Sequence, residues 1–475
     1  MDEQPKPTAS RLSARTFWIL FLLISVVGTA IRVSDSASWR RTGFDELIYR
    51  RYVNMMDGGK QVVPVFRKGQ PMSVWTKDVE RTGAAAMPDL TDFFLETQES
   101  KETECELPPT RFLYIYTSWL WKCVQFGNEP PMPVGQLNAV SGDDRSQDAD
   151  HRDPALASLH RVACLFVTLL MIAGGLFASR VFGRGAGLGV LALMAFDPMQ
   201  IHFSQHALID GFFTFWAVMA LWTTWECLRA PNDKRWLIAH GAILALMVLT
   251  KENAFFVYCA LAAVVIANRW AKWGTVSPRF LAVSVIAPGV GVLLLMMLAG
   301  GASSFIAVYS TLVAKAQNLD YARLTGDGPW YRYFIDLMII SPIVLILAIG
   351  ALFKIVPVRK ELMYFTVFVA ASYLIMCNVK YGMNLRYASI WELPLRAAAV
   401  LMVWELCKRF GQRRELVATL MIAGICALEF RQYLILGTDS RSSIIRQEKS
   451  DENVVPLYEL VTEQLLQRVN VIKKD

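Results

Sequence analysis

Charged residues are scarce in this chain. Asp, Glu, Lys and Arg make up 19% of its 475 residues, against about a quarter in an ordinary soluble domain. Hydrophobic residues make up 54%, and the mean hydropathy is +0.34. These values exclude an ordinary soluble fold and indicate a chain that lies largely in a bilayer. The net charge of +7 is spread over short loops, so no nucleic-acid partner is predicted.

Patterns for metal binding and disulfides are also sparse. The eight cysteines form no paired CxxC motif, and six lie in or beside apolar runs, where a thiol behaves as a small hydrophobe. Cys105 and Cys123 fall in the one long polar block, and they either pair, if that block is outside the cytosol, or stay free. His202 and His206 have helical ligand spacing without a third ligand, so a structural or substrate-facing histidine is favoured over zinc.

No small-residue cleavage site follows the first apolar run, so we interpret it as a retained helix. Apolar runs of about 17–25 residues span a bilayer as helix. No internal repeat stands out, which disfavours an inverted-repeat transporter. The sequence predicts an all-α polytopic membrane protein with about eleven crossings, at 17–33, 157–179, 185–201, 209–228, 235–250, 254–268, 279–300, 331–353, 361–379, 387–407 and 414–432.

The distribution of Lys and Arg predicts the orientation. Basic clusters recur in the short loops at alternate ends of the predicted helices, as on the cytoplasmic side of membrane proteins. We expect a cytoplasmic tail at 1–16, a transmembrane domain at 17–432 that includes an external loop at 35–155, and an external tail at 433–475. The external loop holds 14 Lys and Arg against 19 Asp and Glu. The tail carries apolar residues at amphipathic-helix spacing.

Unusual ionisable residues gather at the predicted outer ends of the helices. A charge in hydrocarbon is costly, so such residues are hypotheses for a functional site. The set consists of Asp45, Glu46, His206, Asp210, Lys251, Glu252, Arg332 and Arg386.

Each of these residues also has a structural interpretation. Asp45 and Glu46 form an acid pair able to supply a general base, or they pair with Arg50 and Arg51 along one helix. Asp210 either works in a site or caps a helix.

The basic residues likewise have either a role in a site or a structural role. Lys251 binds a carboxylate or a phosphate, or it extends its side chain towards water. Arg332 and Arg386 are candidates for clamping an anionic group at the membrane surface.

Taken in order, these stretches resemble the GT-C superfamily of membrane glycosyltransferases, within it the branch of protein O-mannosyltransferases and lipid A aminoarabinose transferases. The motifs are GFDELIYRRYV, PPTRFLYIYTSWLWKCVQFG, FDPMQIHFSQHALIDGFFTFW, LTKENAFF, GPWYRYFIDLMIISP and LRYASIWELPL, between about residues 17 and 408. The resemblance implies a GT-C-like fold in which the long first loop bears juxtamembrane helices. The long polar stretches at 60–106 and 125–154 depart from the pattern and leave the acceptor open.

The resemblance also implies an inverting transfer of a sugar from a polyprenyl-phosphate donor to a hydroxyl acceptor on the external face. It suggests a catalytic role for Asp45 as the base, together with Glu46 and Asp210, and donor-phosphate binding by Arg386. From the residues themselves we expect Lys251 and Arg332 to support binding of the donor phosphate, and His206, Glu252 and Tyr387 to bind substrate. No cofactor is required with certainty, and a divalent metal is left open. The expected location is a bacterial cytoplasmic membrane. A lipid or solute transporter, a flippase, or a non-catalytic scaffold are the alternatives.

Overall fold

The computed structural model describes residues 12–34, 44–58, 61–63, 103–105, 107–108, 110–127, 129, 153–318, 328–379 and 383–437. Most of the predicted external loop and the predicted amphipathic helix near the C-terminus lie outside these residues. The statements below concern the described part of the chain.

The described residues are almost entirely helical. The α-helices are α1 (Ala14–Val33), α2 (Phe44–Met55), α3 (Phe112–Phe126), α4 (Pro154–Phe182), α5 (Arg184–Ala195), α6 (Pro198–Gln205), α7 (Ile209–Arg229), α8 (Lys234–Val248), α9 (Ala254–Ala271), α10 (Pro278–Leu298), α11 (Ala302–Asn318), α12 (Arg332–Ile340), α13 (Pro342–Lys354), α14 (Lys360–Met376), α15 (Glu392–Leu406) and α16 (Arg414–Gly437). Two 3₁₀ segments, Leu385–Trp391 and Cys407–Arg413, flank α15. The strands β1 (Gln61–Val63) and β2 (Thr103–Cys105) pair antiparallel.

Apolar side chains face outwards on several helices, as a bilayer requires. Five helices of the described chain are long and apolar enough to cross a membrane, or six if α5 and α6 form one bent span. On α10, Val285, Ile286, Leu293 and Met297 are each more than 60% exposed, which suits contact with lipid. The chain is an integral membrane protein with an all-α fold, as predicted. The count of eleven crossings stays a prediction.

Two predicted crossings are broken in the structure. The run at 185–201 divides into α5 and α6, which meet at an angle of 54°. Asp197 caps α6 by accepting the backbone N–H groups of Met199 and Gln200, and Pro198 follows at the first helical position, where proline needs no hydrogen bond. The run at 331–353 is likewise divided at Pro342. The prediction of continuous helices was wrong at these two places.

The short helices α2 and α3 pack against the start of α4. Tyr49 and Tyr114 meet edge to face, and Tyr114 Oη donates to the Leu159 carbonyl at 3.1 Å. Arg50 Nε donates to Asp153 Oδ2 at 2.8 Å. These contacts form a second buried apolar cluster beside the main core. Arg50 therefore links α2 to Asp153, the N-cap residue of α4.

A close helix contact fixes the start of α7. Gly211 lies so near α4 that a Cβ there would collide with the side chain of Val167. A glycine is therefore needed for this spacing. Asp210, the residue before it, is held against the bundle by the same contact.

Candidate active site

The two acidic residues at the start of α2 lie in different surroundings. Successive residues on a helix point about 100° apart, and Asp45 is accordingly 31% exposed while Glu46 is buried. Asp45 Oδ2 accepts a hydrogen bond from Arg386 Nη1 at 2.8 Å. Asp45 therefore has an accessible face and a neighbouring cation.

Glu46 links α2 to two other elements. Its Oε1 accepts the backbone N–H of Ala207 at 2.6 Å and lies 3.1 Å from His160 Nε2. His206 Nδ1 is 3.7 Å from the same oxygen. The rings of His202 and His206 lie 4.3 Å apart. His206 therefore lies next to Glu46. Glu46 is buried and accepts a backbone N–H, so its contacts suit a structural role that holds α2 in place.

Asp210 is buried in a pair of charges at the start of α7. The N-cap of this helix is Leu208, without a side-chain cap bond, so the capping interpretation of Asp210 is wrong. Its Oδ1 accepts from Lys251 Nζ at 2.6 Å, and its Oδ2 lies 3.9 Å from Arg386 Nη1. The buried carboxylate is compensated by cations, as burial demands.

Arg386 joins the two acids from the 3₁₀ segment before α15. Its Nη1 contacts both Asp45 and Asp210, and its backbone N–H donates to Asn384 Oδ1 at 2.9 Å. Tyr387 follows, with its ring 4.5 Å from Lys251 Nζ, a cation–π distance. The five predicted residues Asp45, Asp210, Lys251, Arg386 and Tyr387 therefore come together.

A further cation, missed in the sequence, contacts α2 one turn after Asp45. Arg111 donates from Nη1 to Tyr49 Oη at 2.8 Å, and its Nη2 is 3.6 Å from Glu252 Oε1. Burial raises the pKa of Tyr49 well above its usual value, so the phenol stays neutral. Arg111 falls within the quoted stretch at 108–127, and its charge beside Pro-Pro was the available signal.

Arg332 contacts an acid on its own helix. It is buried on α12, with its Nε 3.9 Å from Asp336 Oδ2 one turn further along. Its part in donor binding stays a prediction.

The side chains around Arg386 are poorly suited to binding a metal ion. Among the described residues, no group of three or more His, Cys, Asp or Glu side chains has metal-binding geometry. The oxygens of Asp45 and Asp210 face Arg386 and Lys251, whose positive charges would repel a cation. We therefore assign no metal-dependent step to these side chains.

Cys123 is a free thiol, which is one of the two alternatives that the sequence left open.

The described residues also enclose an apolar cavity of about 230 Å³. Its walls come from α12, α13, α14 and α15 and from Trp391, the last residue of the 3₁₀ segment that contains Arg386. Two of the lining side chains, Phe334 and Leu352, are 40% and 42% exposed. Part of the cavity wall therefore lies at the surface of the helix bundle.

Comparisons with known proteins agree with this architecture. Residues 155–297 match the family described as dolichyl-phosphate-mannose-protein mannosyltransferase. The structure of the oligosaccharyltransferase of Archaeoglobus fulgidus, in a complex with Zn and sulfate, is similar with a TM-score of 0.53 and 12% sequence identity. The match covers 96% of this chain and 57% of the oligosaccharyltransferase chain. The same organism's AglB with an inhibitory peptide and a dolichol-phosphate also has 0.53 at 12% identity, covering 97% and 60%.

ArnT from Cupriavidus metallidurans bound to undecaprenyl phosphate has a TM-score of 0.49 at 10% identity, covering 95% of this chain and 76% of its own. The comparison with curated proteins finds no match. The chain spans about three-fifths of the oligosaccharyltransferase chains. It has the fold of the GT-C membrane glycosyltransferases, which confirms the resemblance at the level of the fold.

Proposed function

We propose that this protein is an inverting glycosyltransferase that moves a sugar from a polyprenyl-phosphate donor to a hydroxyl acceptor on the external face of the membrane. One observation carries the proposal. An exposed carboxylate, Asp45, and a buried one, Asp210, share Arg386 at 2.8 and 3.9 Å, and Lys251 lies 2.6 Å from Asp210.

The cations bind the donor phosphate. Arg386 is 18% exposed, so part of its guanidinium is accessible to a ligand, and guanidinium groups match phosphate oxygens in pairs. Lys251 adds a second positive charge, fixed between Asp210 and the Tyr387 ring. Together they stabilise the negative charge that grows on the leaving phosphate. Arg332 supports this charge from a distance.

Asp45 accepts the proton of the acceptor hydroxyl. The acceptor oxygen forms a bond to the anomeric carbon while the bond to the phosphate oxygen breaks, and its electron pair leaves with polyprenyl phosphate. The proton ends on Asp45, and the displacement inverts the anomeric configuration. Phosphate binding draws Arg386 away from Asp45 and so restores the basicity of the carboxylate.

Glu46 and Asp210 hold the reacting groups in place. Glu46 fixes the start of α2 to the Ala207 backbone, and Asp210 orients Lys251. The apolar cavity takes part of the polyprenyl chain, since its walls are apolar and include Trp391, five residues after Arg386.

The test is transfer by purified protein from radiolabelled polyprenyl-phosphate mannose. Asp45→Asn should abolish release of polyprenyl phosphate in the presence of acceptor and leave membrane insertion intact, because Asn cannot take the proton. Asp233→Asn is the matched control, since Asp233 only caps α8 and Asn caps equally well.

Normal turnover by Asp45→Asn would contradict the assignment of the base. Movement of the lipid across a vesicle membrane without cleavage would instead favour the transporter or flippase alternative.

A further inference from the structure

The ion pair between Arg111 and Glu252 is only partly satisfied. Nη2 of the arginine and Oε1 of the glutamate lie 3.6 Å apart. Arg111 Nε and Glu252 Oε2 are buried and have no hydrogen-bond partner among the described residues. Leaving such buried atoms unpaired is unfavourable, so the pair offers one donor and one acceptor to a ligand.

The backbone holds Arg111 in this position at some cost. Its φ of 59° and ψ of 25° are left-handed, a conformation that is unfavourable for a non-glycine residue. The start of α3 is fixed by the Leu113 N–H, which donates to the Leu249 carbonyl at 3.0 Å. Tyr49 holds the guanidinium at 2.8 Å. Local strain that is maintained by several contacts is a feature of ligand sites.

The pair lies next to the proposed reaction centre. Tyr49 is four residues after Asp45, so the two side chains share one face of α2. Glu252 follows Lys251, the proposed phosphate ligand, directly in the chain. A ligand held by Arg111 and Glu252 therefore lies beside the base and beside the phosphate.

The charges of the pair select the chemistry of the ligand. A phosphate would meet the unpaired carboxylate oxygen of Glu252 and be repelled. Two neighbouring hydroxyls of a sugar suit the pair, because one accepts from the guanidinium N–H and the other donates to the carboxylate. The net charge of zero also fits a neutral ligand.

We infer that Arg111 and Glu252 bind neighbouring hydroxyls of the sugar carried by the donor lipid. This inference rests on the proposed function. It assigns recognition of the sugar to this pair and recognition of the phosphate to Arg386 and Lys251.

The test compares the binding of dolichyl phosphate mannose and dolichyl phosphate to purified protein without acceptor. Glu252→Gln and Arg111→Lys should each weaken binding of the mannose-bearing lipid about tenfold, the effect of one hydrogen bond to a charged group. Binding of dolichyl phosphate should be unchanged. Glu415→Gln, at an exposed position of α16, is the matched control.

The possible results separate this inference from the proposed function. Equal losses for both lipids, or no loss for either, would overturn the sugar assignment, as would equal affinity of the unaltered protein for the two lipids. Failure of the unaltered protein to bind dolichyl phosphate would instead count against the proposed function.

Discussion

At the scale of single residues, the pair between Asp210 and Lys251 dominates the electrostatics of the site. Both side chains are at most 4% exposed, and their charged atoms are 2.6 Å apart. Removing one partner of a buried pair leaves an uncompensated charge and costs about 3–5 kcal/mol, whereas replacing both costs far less. The pair is therefore strongly coupled.

Lys251→Met should lower the free energy of unfolding by about 3 kcal/mol, because Asp210 then stays buried with only the more distant Arg386. Lys251→Met combined with Asp210→Asn should recover most of this loss while remaining inactive. Unfolding in SDS measures both changes. A double variant that loses the sum of the two single effects would contradict the coupling.

Much of the site follows from the sequence, because charges in an apolar chain are rare and conspicuous. Asp45, Asp210, Lys251 and Arg386 were predicted at one surface, and the structure brings them together. The charge of Arg111 was visible in the sequence, but its place beside Tyr49 and Glu252 could not be predicted, since it depends on a left-handed backbone. The division of labour between Asp45 and Glu46 also depends on packing, which decides which of two neighbours is buried.

At the scale of helices, the contact between α4 and α7 determines where Asp210 lies. Gly211→Ala should lower the free energy of unfolding by about 1–3 kcal/mol, the usual cost of overpacking, because the new Cβ meets Val167. Transfer should fall as well, since α7 carries Asp210. Thermal unfolding and activity measure the two effects.

Two further variants check this steric explanation. Adding Val167→Ala to Gly211→Ala should restore part of the stability by making room. Gly289→Ala on α10 is the control, because nothing lies within 4 Å of a Cβ there and alanine favours helix. The explanation fails if Gly289→Ala is as harmful as Gly211→Ala.

Hydropathy predicted where most helices lie, but not where they break. The predicted run at 209–228 corresponds to α7 at Ile209–Arg229, and 279–300 to α10 at Pro278–Leu298. The break between α5 and α6 was missed, since an apolar run with an internal Asp-Pro reads as continuous until a partner for the aspartate is known. Arg396 supplies that partner, 3.1 Å from Asp197.

At the scale of the whole molecule, the orientation in the bilayer is a prediction from loop charge. Alkaline phosphatase fused after Gly437 should be active and green fluorescent protein there dark, because an odd number of crossings puts this end outside. Fusions after Lys272, in a basic loop, should behave in the opposite way. A fluorescent fusion after Gly437 would show that the number of crossings is even.

The apolar cavity bears on how the enzyme would meet its donor. Because Phe334 and Leu352 line the cavity and are exposed on the bundle, the proposed lipid donor would arrive from the bilayer by diffusion in two dimensions. The concentration that governs its capture is then the mole fraction of donor among surrounding lipids, and not the amount per volume of buffer. Diluting the donor with inert lipid should therefore lower the rate of transfer even when the total amount of donor is constant.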